Sequence, residues 1–415
     1  MSSKCVKVYK YRIYPTKAQA RQLEETLETC RQVYNSFLHW RTFAYDSEQK
    51  SVGRYEQEAA LTHWKHKVSD GKKDHPELSD VHAHLLQNVA HRVDLAFRAF
   101  FRRVKAGETP GYPRRKGVGQ YDSFCFKQWK NGVQFKNGNL LVSKIGEIKC
   151  NVHRPMTGDA KTCCLHRVNN KWFACITCEV EFESLPPSDE TVGVDVGIKT
   201  FAALSDGTFI ENPKFFRAEE SALAKAHRKL AKQKRGSRER RKAKKVVARV
   251  HERVRNRRHN FTHQTARCLV NRSGMIAVEK LAVKNMSKSP APKQDPETGE
   301  YLPNGASAKA GLNKSLLDAA WSQFRMILTS KAESACREVV AVRPAYTSQM
   351  CSGCGYTAPK TLKDRWHLCP MCGTSLDRDT NAAINILTIA LGQQCGDEIS
   401  PRNFWSLDQG ELSRA

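Results

Sequence analysis

Val192-Gly-Val-Asp195-Val-Gly-Ile198 is a short apolar run interrupted by a single acid. The segment behind it, Thr200-Phe-Ala-Ala-Leu-Ser-Asp-Gly-Thr-Phe-Ile210, reads as two strands around an Asp206-Gly207 turn. Asp206 is turn chemistry. Asp195 is different, because a carboxylate inside an apolar strand carries a desolvation cost unless it is paired or binds a cation. The pattern recurs in Met275-Ile-Ala-Val-Glu279-Lys-Leu281, again an apolar strand closing on an acid. A third acidic group, Asp377-Arg-Asp379, opens the helical stretch Thr380-Asn-Ala-Ala-Ile-Asn-Ile-Leu387. Alone, each acid has a plain structural reading, as a turn residue or a helix cap. Three of them, in this order and on these elements, form a specific constellation.

Just before the third acid lie two knuckles, Cys351-Ser-Gly-Cys354-Gly and Cys369-Pro-Met-Cys372-Gly. Two thiolates at that spacing can bind one ion from a tight turn, and two such turns complete a tetrahedron. A Gly after each second cysteine suits the turn, since it accepts positive φ without steric cost. The spacing predicts one Zn²⁺ in a structural role, because four thiolates leave no open position for water. Cys175-Ile-Thr-Cys178 lacks a partner knuckle and is expected to be strand packing, and Cys30, Cys268 and Cys336 are expected on apolar faces. Fifteen cysteines, an odd number in a chain whose N-terminus reads as no signal peptide, argue against a disulfide framework.

The chain has 415 residues, enough for two or three domains. Lys and Arg number 69 against 42 Asp and Glu, a formal charge of +27. This excess points to a polyanion, nucleic acid first and a membrane surface second. The membrane reading is weaker because the basic segments lack a wide apolar face rich in Trp and Phe. No run approaches the roughly 18–20 apolar residues that span a bilayer.

Residues 5–14 read as a strand, and Thr16 with Gln19 as a capping box for a helix whose apolar stripe runs Leu23, Leu27, Cys30, Tyr34 and Phe37. A second stripe runs Val81, Leu85, Val89, Val93, Phe97, Phe100 and Val104, with Arg92, Arg98, Arg102 and Arg103 on its outer face. Turns and short strands follow from Thr109 to about Glu183, then a Leu185-Pro-Pro-Ser-Asp linker and a mixed α/β pattern to about residue 391. Residues 225–258 hold seventeen Lys or Arg and two Glu, and read as a helical pair broken near Gly236-Ser237. Charge of nearly one sign repels itself, so these helices call for a polyanion. Asn285 to Gly311, rich in Pro, Gly, Ser and Lys, reads as a mobile loop, and the tail from Gly392 as disordered.

These motifs resemble the split RuvC motifs of TnpB proteins, encoded by bacterial and archaeal insertion sequences and related to compact type V CRISPR effectors. The resemblance lies in Gly193-Val-Asp195-Val-Gly-Ile-Lys, in Ile276-Ala-Val-Glu279-Lys-Leu, and in the knuckles with Asp379-Thr-Asn-Ala-Ala-Ile-Asn-Ile-Leu. It extends to Tyr11-Arg-Ile-Tyr-Pro-Thr-Lys-Ala-Gln, Pro110-Gly-Tyr-Pro-Arg-Arg-Lys and Asp318-Ala-Ala-Trp-Ser-Gln-Phe, covering nearly the whole chain. It implies an α/β and α+β multidomain architecture. A RuvC/RNase H-like nuclease domain would hold an inserted zinc ribbon, and a β-barrel wedge would carry an inserted helical recognition domain. On this chain the wedge would span 1–14 and 109–184, and the recognition helices 15–108. The nuclease would span 185–345 (with basic helices 216–265 and the loop 285–311) and 377–391, the ribbon 346–376, and the tail 392–415.

The resemblance places the catalytic, magnesium-binding acids at Asp195, Glu279 and Asp379. Asp377 competes for the third place, but Asp379 directly precedes the family's x-Asn-Ala-Ala stretch. Three carboxylates can hold two Mg²⁺ about 3.5–4 Å apart for in-line phosphodiester hydrolysis without a covalent intermediate. The expected activity is RNA-guided cleavage of double-stranded target DNA beside a short flanking motif, with a guide RNA drawn from the transposon end. The expected phosphate contacts are Lys225, Arg228, Lys232, Arg235, Arg238, Arg241, Lys245 and Arg249 on the basic helices, with Arg98, Arg102, Arg114 and Arg115 nearer the N-terminus. A monomer bound to RNA in the prokaryotic cytosol is expected. The rival readings are a silent RNA-guided repressor, disfavoured by the intact acids, a transposase acting on element ends, and an effector guided from a CRISPR array.

Overall fold

The computed structural model describes residues 4–66, 68–69, 72–73, 75–181, 184–361 and 364–394. It divides into two units, Met1–Glu181 and Phe182–Ala415. No helix among the described residues is long and apolar enough to cross a membrane.

The first unit runs β1 (Lys4–Tyr14), α1 (Lys17–Glu48), α2 (Arg54–His66), the two-residue strands β2 (Val68–Ser69) and β3 (Lys72–Lys73), and α3 (Ala83–Lys105). Six strands follow: β4 (Ser123–Phe126), β5 (Val133–Lys136), β6 (Asn139–Val142), β7 (Gly146–Asn151), β8 (Asp159–Val168) and β9 (Lys171–Glu181). Seven of these strands form one antiparallel, nearly closed barrel sheet in the order β4-β8-β9-β1-β7-β6-β5. Alternation sends Tyr9, Tyr11 and Ile13 of β1 and Trp172, Ala174, Ile176, Cys178 and Val180 of β9 inward. Thr16 and Gln19 close the capping box that starts α1. The stripes of α1 and α3 join the strand residues in a single core. The α3 stripe thins toward its end: Phe97 is half-buried but still packs against that core, whereas Val104 is exposed.

Cysteine chemistry in this unit departs from expectation at one point. Cys125 of β4 and Cys164 of β8 are direct cross-strand partners with Cα atoms 4.0 Å apart, and they are joined as a disulfide. Only the strand register brings them together, so spacing gave no sign of the pair. Cys175 and Cys178 are simply positions on β9. Arg92 is likewise not an outer-face residue. It donates to the Ser123 carbonyl at 2.7 Å and lies over the Tyr121 ring.

The second unit opens with β10 (Thr191–Val196), β11 (Thr200–Leu204), β12 (Phe209–Glu211), α4 (Phe215–Ala231), α5 (Arg238–Arg272) and β13 (Met275–Glu279). It continues with α6 (Val283–Met286), β14 (Lys293–Gln294), β15 (Tyr301–Leu302), α7 (Ala306–Ala319), α8 (Trp321–Glu333) and β16 (Glu338–Val342), and ends with β17 (Trp366–Leu368), β18 (Ser375–Asp377) and α9 (Arg378–Gln394). The main sheet has the order β12-β11-β10-β13-β16. Its first three strands form an antiparallel meander, while β10, β13 and β16 run parallel. One face packs Val192, Val194, Ile276 and Val278 against α5 and α8 through Leu269, Phe324 and Leu328. The other face packs Ala277 and Val342 against Ile386 and Ala390 of α9.

The segment expected to be a mobile loop carries structure. α6 and the β14–β15 hairpin occupy it, and Lys309 Nζ and Asn313 Nδ2 tie the start of α7 back to the carbonyls of Met286 and Ser287. Leu185-Pro-Pro is pinned rather than free. The Leu185 amide donates to Ala335 O, and Arg337 donates to Pro186 O at 2.6 Å. Cys268 and Cys336 are exposed, not on apolar faces. Helix α9 carries residues 392–394, and the rest of the expected tail lies outside the described residues.

Candidate functional site

Strand alternation decides where the acids sit. Val192 and Val194 of β10, and Ile276 and Val278 of β13, face α5 and α8. Gly193, Asp195, Ala277 and Glu279 therefore belong to the α9 face. The parallel register pairs Gly193 with Ala277 and Val194 with Val278, so Asp195 and Glu279 come next to each other at the carboxyl ends of adjacent strands. That end of a parallel sheet is where open α/β folds place their ligands. Gly193 lets α9 lie close enough to bring its first turn to the same end. A Cβ there would sit 2.0 Å from the Ala383 carbonyl oxygen.

Burial pushes the Asp195 carboxyl up to about 8, and the neighbouring charges of Glu279, Asp379 and Asp377 add to the rise while Arg378 opposes it. Glu279 is also raised by burial, offset by the Thr347 hydroxyl, which donates to its Oε1 at 2.7 Å. Asp379 accepts from Arg378 at 3.2 Å. Asp377 has another task. Its Oδ1 accepts the backbone N–H groups of Asp379 at 2.8 Å and Thr380 at 3.3 Å, which makes it the cap of α9. A half-buried carboxyl raised by desolvation and by like neighbours is a donor that a divalent cation would relieve, so these oxygen ligands fit magnesium.

The four knuckle cysteines cluster with all four Sγ atoms within 4.8 Å of one another. Cys351 and Cys372 Sγ are 3.6 Å apart, and Cys354 and Cys369 Sγ 3.5 Å. A tetrahedral ion with Zn–S bonds of about 2.3 Å needs sulfurs about 3.8 Å apart, so the cluster fits zinc. Gly355 and Gly373 turn each knuckle at φ of 74° and 73°, with their amides donating to the Cys351 and Cys369 carbonyls. Two fully buried asparagines of α9 join this cluster to the acids. Asn381 accepts from the Ser352 amide and donates to Met350 O, while Asn385 donates to the carbonyls of Thr347 and Met350. Sequence reasoning missed the roles of Thr347 and Asn385. The only signal was a second Asn one turn after Asn381, in an otherwise apolar helix.

Helices α4 and α5 form a hairpin around the small core of Leu223, Ala226, Val247 and Val250. Lys225, Arg228, Lys232, Arg235, Arg238, Arg241, Lys245 and Arg249 are all exposed on it, and none has an ion-pair partner among the described residues. The root of the hairpin is neutralised instead. Arg253 and Arg257 reach Glu219, and Arg258 reaches Asp318, whose carboxylate also accepts from the Phe216 amide at the start of α4. In the first unit Arg102, Arg114 and Arg115 are exposed, whereas Arg98 is paired with Asp94 at 2.8 Å.

Comparison with known proteins agrees with these features. Family models match residues 174–290 ("Probable transposase"), 321–386 ("Cas12f1-like, TNB domain") and 1–50 ("Helix-turn-helix domain"). A Streptomyces pristinaespiralis protein named for RNA-guided DNA endonuclease activity is 33% identical over 97% of this chain and 94% of its own length. A similarly named Escherichia coli K12 protein, InsQ, is 30% identical over 92% of each. Among solved structures, the Cas12f1–sgRNA–target DNA complex matches with a TM-score of 0.55 at 12% identity, covering 92% of this chain and 98% of that one. The chain belongs to the TnpB family.

Proposed function

We propose that this chain is an RNA-guided DNA endonuclease that hydrolyses phosphodiester bonds of double-stranded DNA next to a short flanking motif. Its nuclease core is RuvC-like, built from 185–345 and 377–391 around a zinc ribbon at 346–376. Its wedge, 1–14 and 109–184, carries the recognition helices 15–108. The observation that carries the reading is the juxtaposition of Asp195 and Glu279 at the ends of parallel strands, with Asp379 close enough to act on Asp195. Family membership and the shared names of the relatives support the guided activity.

Asp195, Glu279 and Asp379 would hold Mg²⁺, two ions in all. Magnesium supplies an activated water and stabilises charge on the attacking and leaving oxygens. Asp195 is the acid whose carboxyl is raised most strongly by its surroundings, so it would gain most from a cation held between it and Glu279. Thr347 fixes Glu279 through Oε1, leaving Oε2 for a cation. Asp377 holds the α9 turn that presents Asp379, so it supports the site without serving as a ligand. The unpaired cations of α4 and α5 neutralise phosphates of the guide RNA and of its duplex with target DNA, which is recognised by backbone shape. The guide comes from the transposon end, and the working unit is one chain with one RNA.

The test is expression with the native flanking DNA, sequencing of the copurifying RNA, and Mg²⁺-dependent cleavage of a target matched to that RNA. A discrete RNA with a constant structured part is expected, together with cleavage that Asp195→Ala abolishes. Cleavage by Asp195→Ala at the wild-type rate would remove the catalytic assignment.

A further inference from the structure

Helix α5 carries a pair of side chains that phosphodiester cleavage does not use. His259 and His263 stand one turn apart with their Nε2 atoms 3.2 Å from each other. Their ring centroids are 4.3 Å apart and the planes are inclined by 51°. Residues four apart share a helix face, so both rings project the same way. Metal–imidazole bonds of about 2.0–2.1 Å place two nitrogens about 2.9 Å apart at a right angle and about 3.4 Å apart at a tetrahedral angle. The observed separation falls between these values. The pair is therefore already spaced as two ligands of one ion, with no rotation of the helix needed.

The surroundings select the class of ion. Arg255 and Arg267 flank the pair on the same face and are exposed, and Lys331 of α8 acts on His263. A hard cation such as Mg²⁺ seeks oxygen and would meet two nitrogens among positive charges. Borderline ions that bond covalently to imidazole gain enough from the two nitrogens to tolerate those charges. His259 is exposed and His263 half-buried, so water can fill the remaining positions. We propose that His259 and His263 form a bidentate chelate for a divalent transition-metal ion of the Zn²⁺, Ni²⁺ and Cu²⁺ class, separate from the four-cysteine cluster and the carboxylates. The site lies where α5 passes from the basic hairpin, at Val247 and Val250, into the sheet core at Ala266 and Leu269. Occupancy therefore staples the turn that joins the two.

Nickel is the probe, titrated calorimetrically into the full-length, zinc-loaded protein in buffer containing Mg²⁺. Wild type is expected to bind Ni²⁺ at a site that weakens at least about tenfold in His259→Gln and in His263→Gln, because either change turns a chelate into a single ligand. The double variant, with neither imidazole, should bind no more tightly than the singles. Copper EPR gives a second readout, with two nitrogen ligands in wild type and one fewer in each single variant. Matching circular dichroism and melting temperature exclude misfolding of the variants. Nickel affinity and copper spectra that are the same in all four proteins, or no nickel binding by wild type, would overturn the proposal.

Discussion

Thr347 donates its hydroxyl to Glu279 Oε1 at 2.7 Å, and its own carbonyl accepts from Asn385 at 2.9 Å. One residue thus ties an acid at the end of β13 to the helix that presents Asp379. Thr347 is buried, so the hydrogen bond is not exchanged with water. Thr347→Val keeps the shape and removes the donor. Groups that orient metal ligands typically contribute about 10–100-fold in activity, and a loss in that range is expected for guided cleavage, with Thr347→Ser close to wild type. Single-turnover cleavage rates check this. An unchanged rate for the valine variant would mean that Glu279 needs no second anchor.

Gly193 makes a different demand on the same site. Its missing Cβ leaves room for the Ala383 carbonyl, which would otherwise lie at 2.0 Å, and Leu387 Cβ at 2.9 Å. Backbone cannot swing aside as a side chain can, so Gly193→Ala must push α9 off the sheet. Overpacking of this kind costs about 1–3 kcal/mol. A lower melting temperature is expected, with loss of cleavage because Asp379 moves with the helix. Equal melting temperatures would show that α9 is not seated as described.

The pH dependence of stability follows from Asp195. Its carboxyl is raised in the folded protein to about 8, while in the unfolded chain it titrates near 4. Its contribution to stability is therefore fully present below pH 4 and is lost as pH rises through about 8. Asp195→Asn cannot ionise, so in magnesium-free buffer it should be more stable than wild type at pH 8 by on the order of a few kcal/mol, and nearly equal at pH 4.5. Added Mg²⁺ should raise the melting temperature of wild type and not of the variant. Thermal melts at the two pH values decide it, and an equal gap at both would detach the effect from ionisation.

Some of this was readable in the sequence because it rests on local spacing. The knuckles at Cys351–Cys354 and Cys369–Cys372 each form within one turn, and the helical pair broken at Gly236 follows from composition. Asp195 and Glu279 stood out as acids at the ends of apolar strands, but their adjacency depends on the parallel register of β10 with β13. Register is a non-local property, and its consequences were hidden. The Cys125–Cys164 bond, the inward turn of Arg92 and the Asn385–Thr347–Glu279 chain all join residues more than 30 positions apart. Asp318 is the same kind of case. It looked like one letter of a family motif, and it anchors both helices of the basic hairpin through Phe216 and Arg258.

Zinc removal should reach the acids through the same asparagines. Asn381 and Asn385 hold Met350, Ser352 and Thr347, the strip from which the first knuckle departs. Structural zinc contributes about 10–16 kcal/mol in apparent binding free energy, so the ribbon will not keep its shape without it. Chelation, or Cys351→Ser with Cys372→Ser, is expected to release about one zinc per chain, lower the melting temperature, and abolish cleavage even when Mg²⁺ is resupplied. Full activity in zinc-free protein would confine the ribbon to a role away from Glu279.

The basic hairpin gives the last expectation, and its signature is salt dependence. Arg235 and Arg241 line the hollow at the tip with Ser237 and Lys244, and neither has a carboxylate partner among the described residues. An arginine already paired inside the protein releases no counterion when RNA binds, whereas an unpaired one does. Arg235→Ala with Arg241→Ala should therefore weaken RNA binding and lower the slope of log affinity against log salt by roughly one per residue. Arg253→Ala is the control, since Arg253 is engaged by Glu219 at 2.9 Å, and its slope should stay near that of wild type. Filter binding of the copurified RNA between low and moderate salt measures all three. If the tip variant and the control shift the slope equally, the RNA contacts lie elsewhere on the chain, and the unpaired charges of the tip serve some other polyanion.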